Sequence, residues 1–365
     1  MPASVSQALP RTMRAVRCVG PEDYRLEEVP VPQPGPQEVL IRVDACGICA
    51  SDVKCFIGAP LFWGDEHRPP YVQAPVTPGH EFIGTVVALG EGASEKHGLQ
   101  IGDRAISEQI VPCGSCAYCR RGLYWLCAVN DIYGFHQATQ GGMAEYMLFP
   151  ARALNYKVPQ DIPVTTAALI EPLACSMHAV ERARIELGDT VVIAGAGTLG
   201  LGMVAAAHLK NPGTLIVIDR YDERLKVAHR LGADVLMNPD RDDVVATVRQ
   251  MTSGIGCDVY IEATGHPDAV NQGLHMIRKA GTFVEFSVMA RETCTDWTII
   301  GDSKELNIYG AHLGPGCYPK VIEYLHRGRL PVEGIVTHVL PLERYLEGFH
   351  LVHDGRQSIK VLLKP

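Results

Sequence analysis

The sequence predicts an α/β protein in two parts, a β-rich domain and a doubly wound parallel sheet, and three observations carry that prediction. The 365 residues exceed what one hydrophobic core ordinarily holds, roughly 100 to 200 residues. Short alternating runs with many Gly and Pro fill residues 1 to about 155, and from about Pro163 the texture changes to β-branched runs separated by helical stretches. A glycine motif follows the first of those runs. With 47% hydrophobic residues, 20% charged residues and a formal net charge of -8, the composition disfavours both a disordered chain and a nucleic-acid binder.

In the first part, Val39–Val43 and Thr85–Leu89 alternate as antiparallel strands do. In the second, the runs are Val191–Ala194, Leu215–Ile218, Val235–Met237, Val259–Glu262, Thr282–Phe286 and Leu306–Tyr309. Strands alternating with helices at this spacing pair in parallel through right-handed crossovers, giving a sheet of about six strands. Beyond His312 come a Gly/Pro loop, a helix near Pro319–Arg327 and a last run, Ile359–Leu363. The expected domains are 1–162 and 163–314, with 315–365 rejoining the first, so that the α/β unit reads as an insertion. The first dozen residues lack the apolar run of a signal peptide, and no apolar stretch of about 18 residues would span a bilayer. A cytoplasmic protein without a membrane partner is expected. Twelve cysteines in such a chain read as thiolate ligands and buried thiols rather than disulfides, because the cytosol keeps thiols reduced.

Val191–Ala194 leads into Gly195-Ala196-Gly197-Thr198-Leu199-Gly200 and then an apolar helical stretch from Met203. In this motif the first glycine permits the tight turn, the second lets the backbone approach a pyrophosphate, and the third allows helix to pack on strand, with the helix N-terminus facing the phosphate charge. The next strand ends at Asp219, 19 residues beyond Gly200, where a carboxylate would bind the adenosine ribose and repel a 2′-phosphate. The pattern therefore indicates a dinucleotide site that favours NAD over NADP; the alternative is a glycine-rich turn without a ligand. Arg220 either pairs with a phosphate or is a solvated surface charge.

Cys113, Cys116, Cys119 and Cys127 form Cys-x2-Cys-x2-Cys-x7-Cys in a segment punctuated by Gly114 and Gly122. Four thiolates in one loop suit a closed tetrahedral zinc site, which stabilises the fold and leaves no position for substrate. An iron–sulfur cluster is the rival, but the fourth cysteine comes late and no proline follows it.

Three further fragments hold ligand-type residues: Gly47-Ile48-Cys49-Ala50-Ser51-Asp52, Pro78-Gly79-His80-Glu81 and Glu171-Pro172-Leu173. Alone, each of these His or Glu residues would more often be a hydrogen-bonded structural group. Taken in order with the cysteine segment and the glycine motif, and with Gly102-Asp103-Arg104, Gly141–Tyr146 and the terminal Lys360–Pro365, the chain resembles the zinc-containing medium-chain dehydrogenases over nearly its whole length. That resemblance implies a GroES-like β-rich catalytic domain, a Rossmann domain, NAD, one catalytic and one structural zinc, and a homotetramer. It makes Cys49 and His80 ligands of the catalytic zinc, with Glu81 and Glu171 supplying carboxylate ligation that alternates with water or substrate. Glutamate rather than cysteine at Glu171 resembles the sorbitol-dehydrogenase-like polyol enzymes. The segments Phe62–Glu66, Ser107–Cys113 and Gly310–Pro315 look like those of bacterial erythritol/threitol dehydrogenases.

The resemblance further implies oxidation of a small polyol to a ketose, in which zinc favours the alkoxide form of the substrate and hydride passes to the nicotinamide. Ser51 would take the alcohol proton, and Asp52 would orient His80. The family often has a histidine five residues after the cysteine as the end of the proton relay, whereas here Lys54 stands there. Lys54 either replaces that histidine or is a surface charge. Arg224 would contact the adenosine ribose and Lys360 the pyrophosphate, with Phe56, Trp63, Phe135 and His312 forming the substrate wall. The alternative for these aromatics is ordinary packing. Cys46, despite its Cys-x2-Cys spacing to Cys49, lacks a thioredoxin-like setting. Cys18, Cys55, Cys175, Cys257, Cys294 and Cys317 read as small buried hydrophobes. Other polyols (sorbitol, xylitol, ribitol), L-threonine, or a catalytically silent NAD-binding role remain the competing functions.

Overall fold

The computed structural model describes residues 9–289 and 291–365. The chain forms two compact units, one of residues 1–168, 338–355 and 361–365, the other of residues 169–337 and 356–360. Residues 315–337, grouped from the sequence with the first part, pack in the second unit. There the helix Tyr318–His326 meets Ile170–Ala183, with Lys320 paired to Glu181 at 2.5 Å.

The first unit is antiparallel. Its central strand, Val39–Ile48, is flanked by Glu81–Leu89 on one side and, at opposite ends of the other side, by Tyr146–Phe149 and Lys360–Lys364; Arg104–Ser107 and Asn155–Val158 extend the sheet beyond Glu81–Leu89. Val39–Ile48 is buried along almost its whole length, as befits a β-branched strand paired on both edges. Gly84 is needed where this pair closes, because a Cβ there would lie 2.3 Å from the Arg42 carbonyl. A separate hairpin, Thr12–Gly20 with Asp23–Pro30, contributes Val16, Cys18 and Tyr24 to the core.

The second unit holds a six-stranded parallel sheet in the order Val235–Met237, Thr214–Ile218, Thr190–Ala194, Cys257–Glu262, Ile277–Glu285, Asn307–Gly310. Chain order reverses between Thr190–Ala194 and Cys257–Glu262, which is where such sheets bind ligands, outside the carboxyl ends of their strands. All six predicted strands are present. The strand predicted as Thr282–Phe286 begins instead at Ile277, because Arg278, Lys279 and Ala280 are polar or exposed and hide the pairing of Cys257 with Ile277 behind an irregular register.

Candidate active site

Gly47 and Glu81 are partners across the central strand pair of the first unit. Val39–Ile48 runs out into Cys49, the N-cap of helix Ala50–Phe56, while Glu81 opens its own strand directly after a turn at Gly79 with φ +98°. Two consecutive residues, His80 and Glu81, are thereby brought to Cys49, and the ligand atoms of all three lie within 4.8 Å of one another. Neither glycine tolerates a side chain: a Cβ on Gly47 would meet Glu81 Oε2 at 2.1 Å, and one on Gly79 would meet Cys46 Sγ at 2.6 Å. Cys46 is fully buried and fills that space.

Asp52 is also fully buried. Its Oδ2 accepts a hydrogen bond from the Cys49 amide at 2.9 Å, capping the helix that carries Ser51 and Lys54. Its Oδ1 faces His80 Nδ1 at 3.6 Å, and neither atom has a hydrogen-bond partner. With Nδ1 turned to Asp52, Nε2 is the nitrogen available to a metal. Burial opposes a charge on His80, but Asp52 and Cys49 outweigh it and hold the imidazole well above its ordinary range. A thiolate, an imidazole and a carboxylate on one side of a site suit zinc with an open coordination position. Ser51 and Lys54 are half-buried three residues apart, hence neighbours on the helix surface, and burial lowers the Lys54 ammonium.

The Phe135 ring stands 5.6 Å from that of His80 and stacks on Phe62 at 5.1 Å. Trp63 donates its indole N–H to the Cys55 carbonyl at 2.7 Å. Phe56, expected in the substrate wall, packs between Tyr24 and Phe349 at 5.1 and 5.3 Å in the core of the first unit, because it lies on the apolar face of a helix too short to show its period. Sequence reasoning reached Phe62 only as part of the resembling segment Phe62–Glu66 and missed Tyr71. It also missed a buried pair, His136 Nδ1 and Asp131 Oδ1 at 2.7 Å, with Tyr71 packed on His136. No short-range motif marks them.

The sulfurs of Cys113, Cys116, Cys119 and Cys127 also gather within 4.8 Å. Cys113 and Cys119 Sγ are 4.0 Å apart, against an S···S edge of about 3.8 Å for tetrahedral zinc with bonds of about 2.3 Å. Backbone amides of Ser115 and Cys116 point at Cys113 Sγ at 3.4 and 3.3 Å, and that of Cys119 at Cys116 Sγ at 3.4 Å. Such donors stabilise thiolates, and those from Ser115 lead in pulling the Cys113 thiol down to about 6. Of the six cysteines read as buried hydrophobes, Cys294 is exposed.

In the second unit the glycine motif lies at the sheet's reversal. A Cβ on Gly195 would be 2.6 Å from the Ala263 carbonyl, and one on Gly200 would be 1.9 Å from the Gly195 carbonyl, so both glycines are required by packing. Gly197 differs: at φ -72° the nearest atom to an added Cβ is Arg224 Nη1 at 3.8 Å. Its bareness serves no contact in the fold. No side chain caps the helix Thr198–His208, whose first-turn amides suit an anion. Thr198 Oγ1 donates to the Ile359 carbonyl at 2.9 Å, and the Leu199 carbonyl accepts from Ser176 Oγ at 2.9 Å. Asp219 accepts from the Ala196 and Tyr221 amides at 2.7 and 2.8 Å. Arg220 is engaged by Asp240 at 3.0 Å, and Arg224 reaches the Ser358 carbonyl at 3.2 Å while lying over Tyr221.

Residues 35–160 match the alcohol dehydrogenase GroES-like domain, and residues 198–327 match the zinc-binding dehydrogenase domain. The chain is 51% identical over 361 residues to the erythritol/L-threitol dehydrogenase of Mycolicibacterium smegmatis, covering 99% of this chain and 100% of that one. It belongs to the zinc-binding alcohol dehydrogenase family. Among solved structures, 2R,3R-butanediol dehydrogenase from Bacillus subtilis superposes with a TM-score of 0.84 at 29% identity, covering 97% of this chain and 99% of that one. A short chain alcohol dehydrogenase from Escherichia coli complexed with NADH superposes with a TM-score of 0.85 at 27% identity, covering 98% and 100%.

In this zinc-binding dehydrogenase both metal clusters fall within the first matched region. Glu171 lies in the second unit, buried in the first turn of Ile170–Ala183, where its Oε1 accepts from Cys175 Sγ at 3.4 Å. The cluster with Cys49 and His80 contains Glu81. His312 is exposed in the second unit, and partial desolvation of its ring lowers the imidazole. Lys360 is almost wholly buried. Among the described residues no helix is long and apolar enough to cross a membrane.

Proposed function

We propose that the protein oxidises a small polyol of the erythritol/threitol type at a secondary alcohol, passing hydride to NAD. The observation that carries the reading is the 51% identity over nearly the whole chain to an enzyme of that activity, in a chain whose Cys49, His80 and Glu81 converge. Cys49, His80 and Glu81 would hold a zinc whose charge stabilises the oxyanion form of the alcohol. Ser51 takes the hydroxyl proton, and Lys54, whose ammonium burial lowers, passes it toward solvent. Asp52 keeps His80 oriented throughout. Phe135, Trp63 and His312 bound the substrate, and Glu171 supplies a second carboxylate for its hydroxyls. Cys113, Cys116, Cys119 and Cys127 hold the structural zinc. NAD is bound by Gly195–Gly200 with Asp219, Arg224 and Lys360, and the pairing of Arg220 with Asp240 supports NAD over NADP. A cytoplasmic homotetramer completes the reading.

The test is a panel of C4 to C6 polyols with L-threonine, assayed with NAD and NADP by absorbance of the reduced nicotinamide. Erythritol or threitol with NAD gives the highest kcat/KM. A panel in which L-threonine or a hexitol leads, or in which no C4 polyol responds, removes the assignment. Light scattering of the purified protein checks the tetramer.

A further inference from the structure

Two carboxylates lie outside the glycine motif and both metal clusters. Glu262 and Glu285 end adjacent parallel strands as register partners, so their side chains leave the same face of the sheet. Glu262 is fully buried and accepts from the Thr264 amide at 2.7 Å, the Thr264 hydroxyl and the Gly265 amide at 3.1 Å, an acceptor's surroundings. Glu285 is different: its Oε1 is buried with no hydrogen-bond partner. A buried oxygen of this kind is destabilising unless a ligand or a proton satisfies it.

The strand order says what lies above it. Asp219 follows Thr214–Ile218 and marks the adenosine side; the helix Thr198–His208, which receives the pyrophosphate, follows Thr190–Ala194. A dinucleotide laid across the reversal therefore has its second nucleotide over the ends of Cys257–Glu262 and Ile277–Glu285. We infer that the nicotinamide end of the dinucleotide rests on Glu285, and that this carboxyl distinguishes the oxidised, cationic ring from the reduced, neutral one. The inference rests on the dinucleotide reading of Gly195–Gly200.

Burial first, and Glu262 second, push the Glu285 carboxyl up to about 7. Around neutral pH both of its forms are populated. A cationic ring beside it stabilises the carboxylate: in the molecules that hold the neutral carboxyl its O–H bond breaks, the electron pair stays on Glu285, and the proton leaves for solvent as NAD+ binds, a fraction of a proton per site that shrinks as pH rises. The uncharged ring of NADH displaces no proton. Other charged groups on the elements of this face are engaged elsewhere. His266 and Asp268 lie 3.6 Å from each other at the surface, Arg249 donates to the His275 and Gly254 carbonyls, and Lys304 Nζ is held by the carbonyls of Leu274, His275 and Ile277.

The experiment is a fluorescence or calorimetric titration of zinc-loaded wild type, Glu285→Gln and Glu285→Asp with NAD+ and with NADH, from about pH 6 to about pH 8.5, with proton release read by an indicator dye. In wild type, NAD+ binding tightens with pH and releases a fraction of a proton. In Glu285→Gln, NAD+ affinity above neutral pH drops about tenfold and less proton is released, NADH affinity holds within about twofold, and Glu285→Asp restores the NAD+ preference. Ionisations linked to the metal are common to all three proteins and cancel in the comparison. Identical pH dependence in wild type and Glu285→Gln, or equal weakening of both nucleotides, overturns the inference while leaving the dinucleotide site standing. A wild type that binds neither nucleotide overturns both.

Discussion

Gly47 and Glu81 oppose each other so closely that a methyl group on Gly47 would lie 2.1 Å from Glu81 Oε2. The glycine is thus part of the metal centre without offering a ligand. Gly47→Ala should push the carboxylate away from Cys49 and His80, while the cysteine lobe, built on a different loop, is untouched. Zinc analysis of the dialysed variant is expected to show one of the two zinc equivalents retained, with kcat/KM reduced about 10- to 100-fold, the range seen when support of a metal ligand is lost. Retention of both equivalents and of full activity would remove Glu81 from the ligand set.

The glycines of the dinucleotide motif divide into two kinds, and the division predicts opposite phenotypes. A Cβ on Gly200 would sit 1.9 Å from the Gly195 carbonyl, so Gly200→Ala should lower the melting temperature markedly and fold poorly. Gly197→Ala has open space and an ordinary φ, so its melting temperature should stay within a degree or so of wild type while NAD affinity falls at least about tenfold. A Gly197→Ala protein that binds NAD normally would show that the cofactor backbone does not approach there.

The order of these sites along the chain was legible because each is written locally. Four cysteines in one loop, and a strand, three glycines and an acid at fixed offsets, are short-range patterns. What was not legible depends on register. That Gly47 must be bare follows from a pairing with Glu81 across two bulges. That Phe56 faces Tyr24 and Phe349 rather than substrate depends on packing against Tyr345–Asp354, nearly three hundred residues away in sequence. The His136–Asp131 pair sits in an irregular loop with no period at all. Glu171 is grouped with His80 and Glu81 by resemblance alone, whereas Glu81 reaches the Cys49 cluster through a strand register that no local motif writes.

Glu285 should also make stability depend on pH in the nucleotide-free protein. Its carboxyl stands at about 7 when folded against an ordinary 4.5, so between those values the folded chain holds a proton that the unfolded chain has lost. Stability therefore falls as pH rises through this window and is lower above it. Glu285→Gln removes the effect. The variant should melt at a higher temperature than wild type at about pH 8, by an amount worth about 1 to 2 kcal/mol once partial solvent exposure is discounted, with the gain vanishing near pH 4.5. Parallel melting curves for the two proteins across that range would contradict it.

The two glutamates near the chemistry should separate in metal analysis. Glu81 has an oxygen within 4.8 Å of the ligand atoms of Cys49 and His80, whereas Glu171 accepts from Cys175 in the second unit. Glu81→Gln replaces an anionic ligand with a neutral one and should lose the catalytic zinc during dialysis, leaving the lobe zinc bound. Glu171→Gln should keep both equivalents, because Glu81 already supplies the carboxylate of that cluster, yet lose turnover with polyols if it meets their hydroxyls. The decisive quantity is the ratio of zinc retained to activity retained. For Glu81→Gln the two fall together, and for Glu171→Gln activity falls while zinc stays. If Glu171→Gln is the variant that sheds zinc, the resting metal is held by the carboxylate from the second unit, and Glu81 is the residue that waits for substrate.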